Sequence, residues 1–209
     1  MLYLFEKQSL FAILAILFLN FSCQPRVENQ LADAKKMFAK GDFAAAIPIL
    51  EAATGTDQNN ADAWNMLGIA YYETQKHEQA TAHFNKAIKL NNQNYKYFYN
   101  RANAQRELNL LLEAIDDYGK ALILESNVAD IYFNRAVVLV ALNRKKEAIP
   151  DFEACLKLAP EFAKAHFGLA SAQISVKQEV SAESCEHLQK ALALGYKEAQ
   201  EALYLYCKK

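Results

Sequence analysis

The sequence predicts an all-α chain of stacked helical hairpins, and three observations carry that prediction. Within 61–94, Trp64, Leu67, Gly68 and Tyr71 stand at i, i+3, i+4 and i+7, one stripe of a helix. After a polar break, Ala80, Phe84 and Ala87 make a second stripe, so two amphipathic helices follow each other closely enough to form only an antiparallel hairpin. The same phasing then recurs every 34 residues without gaps from Val27 to Phe162, in blocks 27–60, 61–94, 95–128 and 129–162. Finally, six glycines and four prolines, set among long stretches of Ala, Leu, Lys and Glu, favour helix throughout. A lone hairpin cannot bury both faces, so it needs copies of itself on either side.

With 209 residues, 53% hydrophobic and 22% charged, the chain has the composition and length for a sizeable core. A formal net charge of -1 supplies no global attraction to nucleic acid or to an anionic surface.

The N-terminus stands apart. Residues 10–19 read LFAILAILFL, an apolar run too short to span a bilayer as a mature helix, preceded by Lys7 with Glu6 offsetting its charge. Asn20, Phe21, Ser22 and Cys23 follow. A small residue directly before a cysteine at the end of an apolar run resembles the lipobox of bacterial lipoproteins. The chain departs from that pattern at Asn20, where the family prefers an aliphatic residue. The resemblance implies removal of residues 1–22, lipidation of Cys23, a tether over 23–26 and anchoring by acyl chains alone. An ordinary cleaved signal peptide, or an uncleaved anchor over 2–21, are the other readings. All three place the rest of the chain outside the cytoplasm. Gln24 replaces the aspartate associated with inner-membrane retention, which directs the expectation to the outer membrane.

Residues 23–29 are polar and contain Pro25, and read as the tether. Beyond them, the first block keeps Ala34, Gly41, Phe43, Ala46, Leu50 and Ala53 but has Gln30 at the place of Trp64. The third block carries Phe98, Ala102, Ala114, Tyr118 and Ala121 in phase; the fourth carries Tyr132, Ala136, Leu139, Ala148, Phe152 and Cys155, with Pro160 closing its second helix. Small residues such as Gly68 and Ala80 permit close helix approach, and the large ones fill the space between repeats. Pro48 and Pro150 share one repeat position near the start of the second helix, where first-turn amides lack intrahelical acceptors. A fifth unit begins at Ala163 with His166, Leu169 and Ala170 in phase. It then slips by two residues within 176–181, so that Ser184, Leu188 and Ala191 take the second-helix places. Gly195 ends that helix, and a last helix over 197–207 places Ala199, Ala202, Leu203 and Tyr206 on one face.

This period and the W-x2-L-G-x2-Y…A-x3-F pattern resemble the tetratricopeptide repeat (TPR) family. The resemblance implies a right-handed TPR superhelix of about five repeats over 27–209, with a C-terminal capping helix. It also implies a non-enzymatic protein-protein interaction module.

No glycine-rich phosphate loop, G-x-S-x-G or H-E-x-x-H occurs, so no enzyme class is indicated. His77 and His83 are six residues apart and cannot share a helical face, which leaves no histidine set for a metal; no cofactor is expected. Asp116 and Asp117 read as solvated helix-surface charges. Cys155 occupies the small-residue place of Ala87 and Ala121 and reads as a buried thiol. Cys185 and Cys207 lie ten residues before and twelve after the turn at Gly195, at nearly equal height in an antiparallel pair. Outside the cytoplasm they can form a disulfide pinning the terminal helix, with two free thiols as the alternative.

The TPR resemblance further implies that first helices line a concave groove. Carried over position by position, the groove residues are Leu31, Lys35 and Phe38; Asn65, Ile69 and Tyr72; Tyr99, Asn103 and Arg106; Phe133, Val137 and Val140; and Phe167, Ser171 and Ile174. This apolar and aromatic trough suits an extended peptide or an amphipathic helix from another protein, unless its side chains pack against neighbouring first helices. Lys35 and Arg106 alone are too sparse for the family's carboxylate clamp. The expectation is a membrane-tethered scaffold or assembly factor of the bacterial cell envelope, with contact to glycan or peptidoglycan through Tyr72, Tyr99 and Phe133 as the alternative.

Overall fold

A computed structural model describes residues 26–207. The expected signal peptide, Cys23 and residues 24 and 25 of the tether lie outside the described residues. Helix α1 spans 26–39. It is followed by α2 (Phe43–Thr56), α3 (Ala61–Glu73), α4 (His77–Leu90), α5 (Tyr95–Glu107), α6 (Leu111–Leu124), α7 (Ala129–Ala141), α8 (Lys145–Leu158), α9 (Ala163–Lys177), α10 (Ala182–Ala193) and α11 (Ala199–Tyr206). No strand occurs among the described residues. The chain divides into two compact units, one ending at Asn92 and one beginning at Gln93. In each, consecutive helices pack in sequence, the arrangement of an α-solenoid.

The period is visible in the helix boundaries themselves. Helices α3, α5, α7 and α9 begin at Ala61, Tyr95, Ala129 and Ala163, and α2, α4, α6 and α8 begin at Phe43, His77, Leu111 and Lys145. The turns inside the hairpins repeat as well. Gly41, Gln75, Asn109 and Asn143 adopt φ of 71°, 64°, 59° and 58°. Each closes a Schellman motif: Lys76 N–H donates to the Tyr71 carbonyl and Gln75 N–H to that of Tyr72, with equivalent bonds at the other turns. Only the first turn uses glycine; the rest tolerate a left-handed Gln or Asn because two backbone bonds hold them. Side chains also cap helix starts. Asn60 accepts from Ala63 N–H at 2.9 Å, and Asn94, one period later, accepts from Lys96 N–H at 3.1 Å.

The size matching expected from the sequence holds. A Cβ on Gly68 would meet the Phe84 ring at 2.5 Å, and one on Gly168 would meet the Phe152 ring at 2.6 Å. Ala80, Ala114 and Ala148 are fully buried, as are Tyr118 and Cys155, while Phe84 and Phe152 are nearly so. Trp64 is only half-buried: its indole N–H donates to the Gln58 carbonyl, and the Lys86 ammonium sits 4.0 Å from its ring centroid.

Two expectations need correction. Residues 26–29 belong to α1 rather than to a tether, because Val27 is buried there at 2% exposure. Pro48 and Pro150 are the sixth residues of α2 and α8, beyond the first turn. Each therefore removes one interior helix bond, with its ring on the exposed side.

In the fifth unit the extra length is shared. Helix α9 has 15 residues against 13 in α3. The link to α10 then turns at Gln178 (φ 53°). Ser184, Leu188 and Ala191 are fully buried in the second-helix places. Gly195 adopts φ 91° past the end of α10. Cys185 and Cys207 form a disulfide of 2.07 Å with Cα atoms 5.8 Å apart, fastening α11 to α10. Helix α11 has eight residues and buries only Ala199 completely, so the bond adds a covalent attachment to a small packing interface with α10.

Closing a span of 22 residues, the disulfide contributes about 3 kcal/mol in the chain-entropy model. Reduction is expected to lower the urea midpoint and to raise amide exchange in α11 before the rest of the chain. A non-reducing digest that fails to link the Cys185 and Cys207 peptides would contradict the assignment.

Candidate partner-binding face

Of the groove residues expected from the sequence, six lie in the first unit: Leu31 and Phe38, half-buried, and Lys35, exposed, on α1, and Asn65, Ile69 and Tyr72 on α3. Asn65 is only 8% exposed, which removes it from the surface a partner could touch. Ile69 and Tyr72 are half-buried, the Tyr72 ring resting 5.3 Å from His77.

In the second unit the expected polar points are engaged by neighbouring side chains. Tyr118 O–H donates to Asn103 Oδ1 at 2.6 Å. Arg106 Nη1 donates to Asn134 Oδ1 at 3.1 Å, Arg106 Nη2 donates to Glu107 at 2.8 Å, and Asn134 Nδ2 donates to the Tyr99 hydroxyl at 3.0 Å. This network ties α5 to α7. Tyr99 and Arg106 are thus held by neighbouring first helices, the packing role weighed against binding for this face.

The apolar members behave differently. Phe133, Val137, Val140 and Phe167 converge on a single cavity of about 320 Å³, joined by Ser171 and Tyr196. Phe133 is fixed by the Phe162 ring at 4.6 Å, and Phe167 by the Tyr196 ring at 5.0 Å. Val137 remains 36% exposed at the opening. Beyond Phe167 and Ser171, the space continues for about 390 Å³ between Ile174, Leu188 and the capping residues Ala202 and Tyr206. Rigid aromatic walls around an open apolar hollow are the physical requirement for seating a side chain from a partner. Lys145 and Lys164 border the same cavity, and the sequence reading named neither. Lys164 occupies an inner position of the family's first helix, which could have revealed it; Lys145, at the start of a second helix, left no such signal.

Titratable groups elsewhere are structural. Asp117 corrects the surface reading: it is 2% exposed and accepts from Arg101 Nε at 2.6 Å and Nη2 at 2.8 Å. One period later, Asp151 accepts from Arg135 Nε at 2.7 Å and Nη2 at 2.6 Å. The 34-residue recurrence of both Arg and Asp was the signal that could have revealed these bidentate pairs. Asp116 is exposed, as expected. His166 is buried at 8% exposure, with Nδ1 at 2.8 Å from Nδ1 of His187 and Nε2 at 2.9 Å from the Pro160 carbonyl. A carbonyl only accepts, so neutral His166 carries its proton on Nε2 and accepts from His187 Nδ1–H. Cys155 is a buried free thiol, pushed up to about 11 by burial and by the nearby Asp130 carboxylate. No cluster of metal-ligating side chains occurs among the described residues, and none of the described helices is long and apolar enough to cross a membrane.

This combination of repeat, turn and face defines a class of helical-repeat interaction proteins, and sequence comparison gives it a family. Two tetratricopeptide repeat models match, over residues 37–102 and 129–162. The TPR domain of Arabidopsis OM64 is 30% identical, covering 55% of this chain and 95% of that domain with a TM-score of 0.54. The chain belongs to the tetratricopeptide repeat family. Among similar solved folds, MamA is 24% identical over 80% of this chain and 96% of its own, with a TM-score of 0.71. YrrB, described as a TPR protein with an unusual peptide-binding site, is 20% identical over 83% of this chain and 89% of its own, with a TM-score of 0.70. No curated protein matches in sequence.

Two outcomes test this account of the titratable groups. Arg135→Ala is expected to cost about 3–5 kcal/mol in urea unfolding by stranding buried Asp151, whereas a joint Arg135→Met and Asp151→Leu replacement recovers most of the loss. Equal effects of the single and joint changes would contradict a paired interior. The second concerns pH. Burial foremost, then the Lys86 charge, holds His83 below its ordinary value of 6.5, against the opposing pull of Glu51. Burial foremost, then His166, does the same to His187, against Glu183, Glu186 and Glu153. As pH falls through 6.5 the unfolded chain takes up these protons before the folded one, so stability declines until the folded values are passed. The urea midpoint should therefore be lower at pH 5.5 than at pH 7.5, and His83→Gln with His187→Gln should flatten the difference.

Proposed function

We propose that this TPR chain is a non-enzymatic scaffold or assembly factor, lipid-tethered through Cys23 in the bacterial cell envelope. It holds an extended peptide or helix of another protein on the inner face of its second unit. The observation that carries this reading is the convergence of Phe133, Val137, Val140 and Phe167 on one open apolar cavity. The Cys185–Cys207 bond suits an oxidising compartment, in keeping with the leader. Peptide binding is described for YrrB, which shares the fold.

A photo-crosslinking residue at Val137 is expected to yield one discrete protein adduct in cells. The same residue at Ile123, 85% exposed on α6, is expected to yield none. Phe133→Ala with Phe167→Ala should abolish the adduct while leaving the helical circular dichroism unchanged. Equal adducts from both sites, or adducts only with cell-wall polymer, would overturn the protein-binding assignment. Fatty-acid label that is absent, or that survives Cys23→Ser, would overturn the lipid tether.

A further inference from the structure

The cavity between α7 and α9 is apolar in its walls but not neutral in charge. Two lysines, Lys145 and Lys164, border it, and none of its lining residues is acidic. Elsewhere in the second unit the arginines are paired: Arg101, Arg106, Arg135 and Arg144 each contact a carboxylate within 2.8 Å. Lys120 reaches Asp117 at 3.2 Å, whereas the unit's other lysines, like these two, join no ion pair among the described residues. Lys145 instead donates to the Ser175 hydroxyl at 2.8 Å.

Their positions in the helices sharpen the point. Lys145 is the first residue of α8, and Lys164 is the second of α9. The N-terminal end of a helix carries partial positive charge, so a cation there is disfavoured. Capping and local pairing thus give no account of either lysine, and both stand beside an open hydrophobic hollow. On the far side of Phe133, Asp130 and Glu161 border an adjoining hollow that also reaches Lys164. The face is therefore basic at the cavity and acidic just beyond it, which opposes a long acidic run.

We propose that this cavity takes one bulky apolar side chain of a partner peptide whose adjacent residue carries a carboxylate, received by Lys145 and Lys164. The inference rests on reading the inner face as a protein-binding surface, and it adds the chemistry of the ligand. The apolar side chain fills the space among Phe133, Phe167 and Tyr196, while the carboxylate supplies the partner that the two lysines lack. Ion pairs at a partly exposed rim add modest affinity and larger discrimination between ligands of opposite charge.

The test uses the full oxidised chain and three acetylated, amidated peptides that share a central tryptophan. They differ only in the residues flanking it, which are glutamate, glutamine or lysine, and fluorescence anisotropy reads the affinity. The glutamate peptide is expected to bind about fivefold more tightly than the glutamine peptide, with the lysine peptide weakest. Lys145→Glu with Lys164→Glu is expected to reverse that order. Both changes place an acid at a helix N-terminus, where it is favourable, so the variant should fold. Equal affinities for the three peptides, or an order untouched by the charge reversal, would overturn the acidic-ligand proposal while leaving the apolar face standing as a binding surface. Binding of none of them, together with no crosslink from Val137, would remove both.

Discussion

A ring seated on a residue without a side chain is the contact from which the solenoid is built. Phe84 of α4 lies against Gly68 of α3, within one hairpin, at a distance that leaves no room for a methyl group. Phe152 of α8 lies against Gly168 of α9, which joins one hairpin to the next. The same pairing of large with small thus closes the helices within a repeat and stacks successive repeats. Close-packed interiors transmit such constraints, since a ring that cannot approach its neighbour displaces a whole helix. Everything on the inner face depends on the helix spacing that these contacts set.

A second device runs beneath that packing. Asp117 and Asp151 occupy the same place on the second helices of successive repeats, and Arg101 and Arg135 the same place on the first. In the first unit the equivalent residue is His83, which stacks on Trp64 at 5.6 Å and on Tyr71 at 5.0 Å. Allowing for the two-residue slip, His187 holds this place in the last unit and meets His166, the counterpart of Trp64, at 5.1 Å. One slot is therefore filled by a buried ion pair in the third and fourth repeats and by ring contacts in the second and fifth. A bidentate ion pair adds fixed geometry, which sets the register of two helices more narrowly than apolar contact does.

The candidate binding face follows from this frame. With helix spacing fixed, the inner side chains of α7 and α9 leave a gap that Phe133, Phe167 and Tyr196 line without filling. Tyr99, Asn134 and Arg106 instead bond to one another across α5 and α7. Neighbouring positions of the same repeat frame thus divide between holding the scaffold and facing outward. The division depends on whether a polar group can reach its counterpart on the adjacent first helix.

The sequence by itself determined the period and the size matching, and it singled out Cys185 and Cys207 as a candidate pair while leaving two free thiols open. Each of these is local or strictly periodic: helical spacing, turn chemistry and similar distances from Gly195 are written along the chain. It also placed Phe133, Val137, Val140 and Phe167 on one face. Only the tertiary structure decided that Asn65 is buried, that Asp117 is an interior partner of Arg101, and that Lys145 and Tyr196 border the cavity. Those facts arise where residues from different helices, or from a loop and a helix, converge in space. A 34-residue repeat specifies which way a side chain points but not what meets it there, because that depends on the side chains its neighbours happen to present.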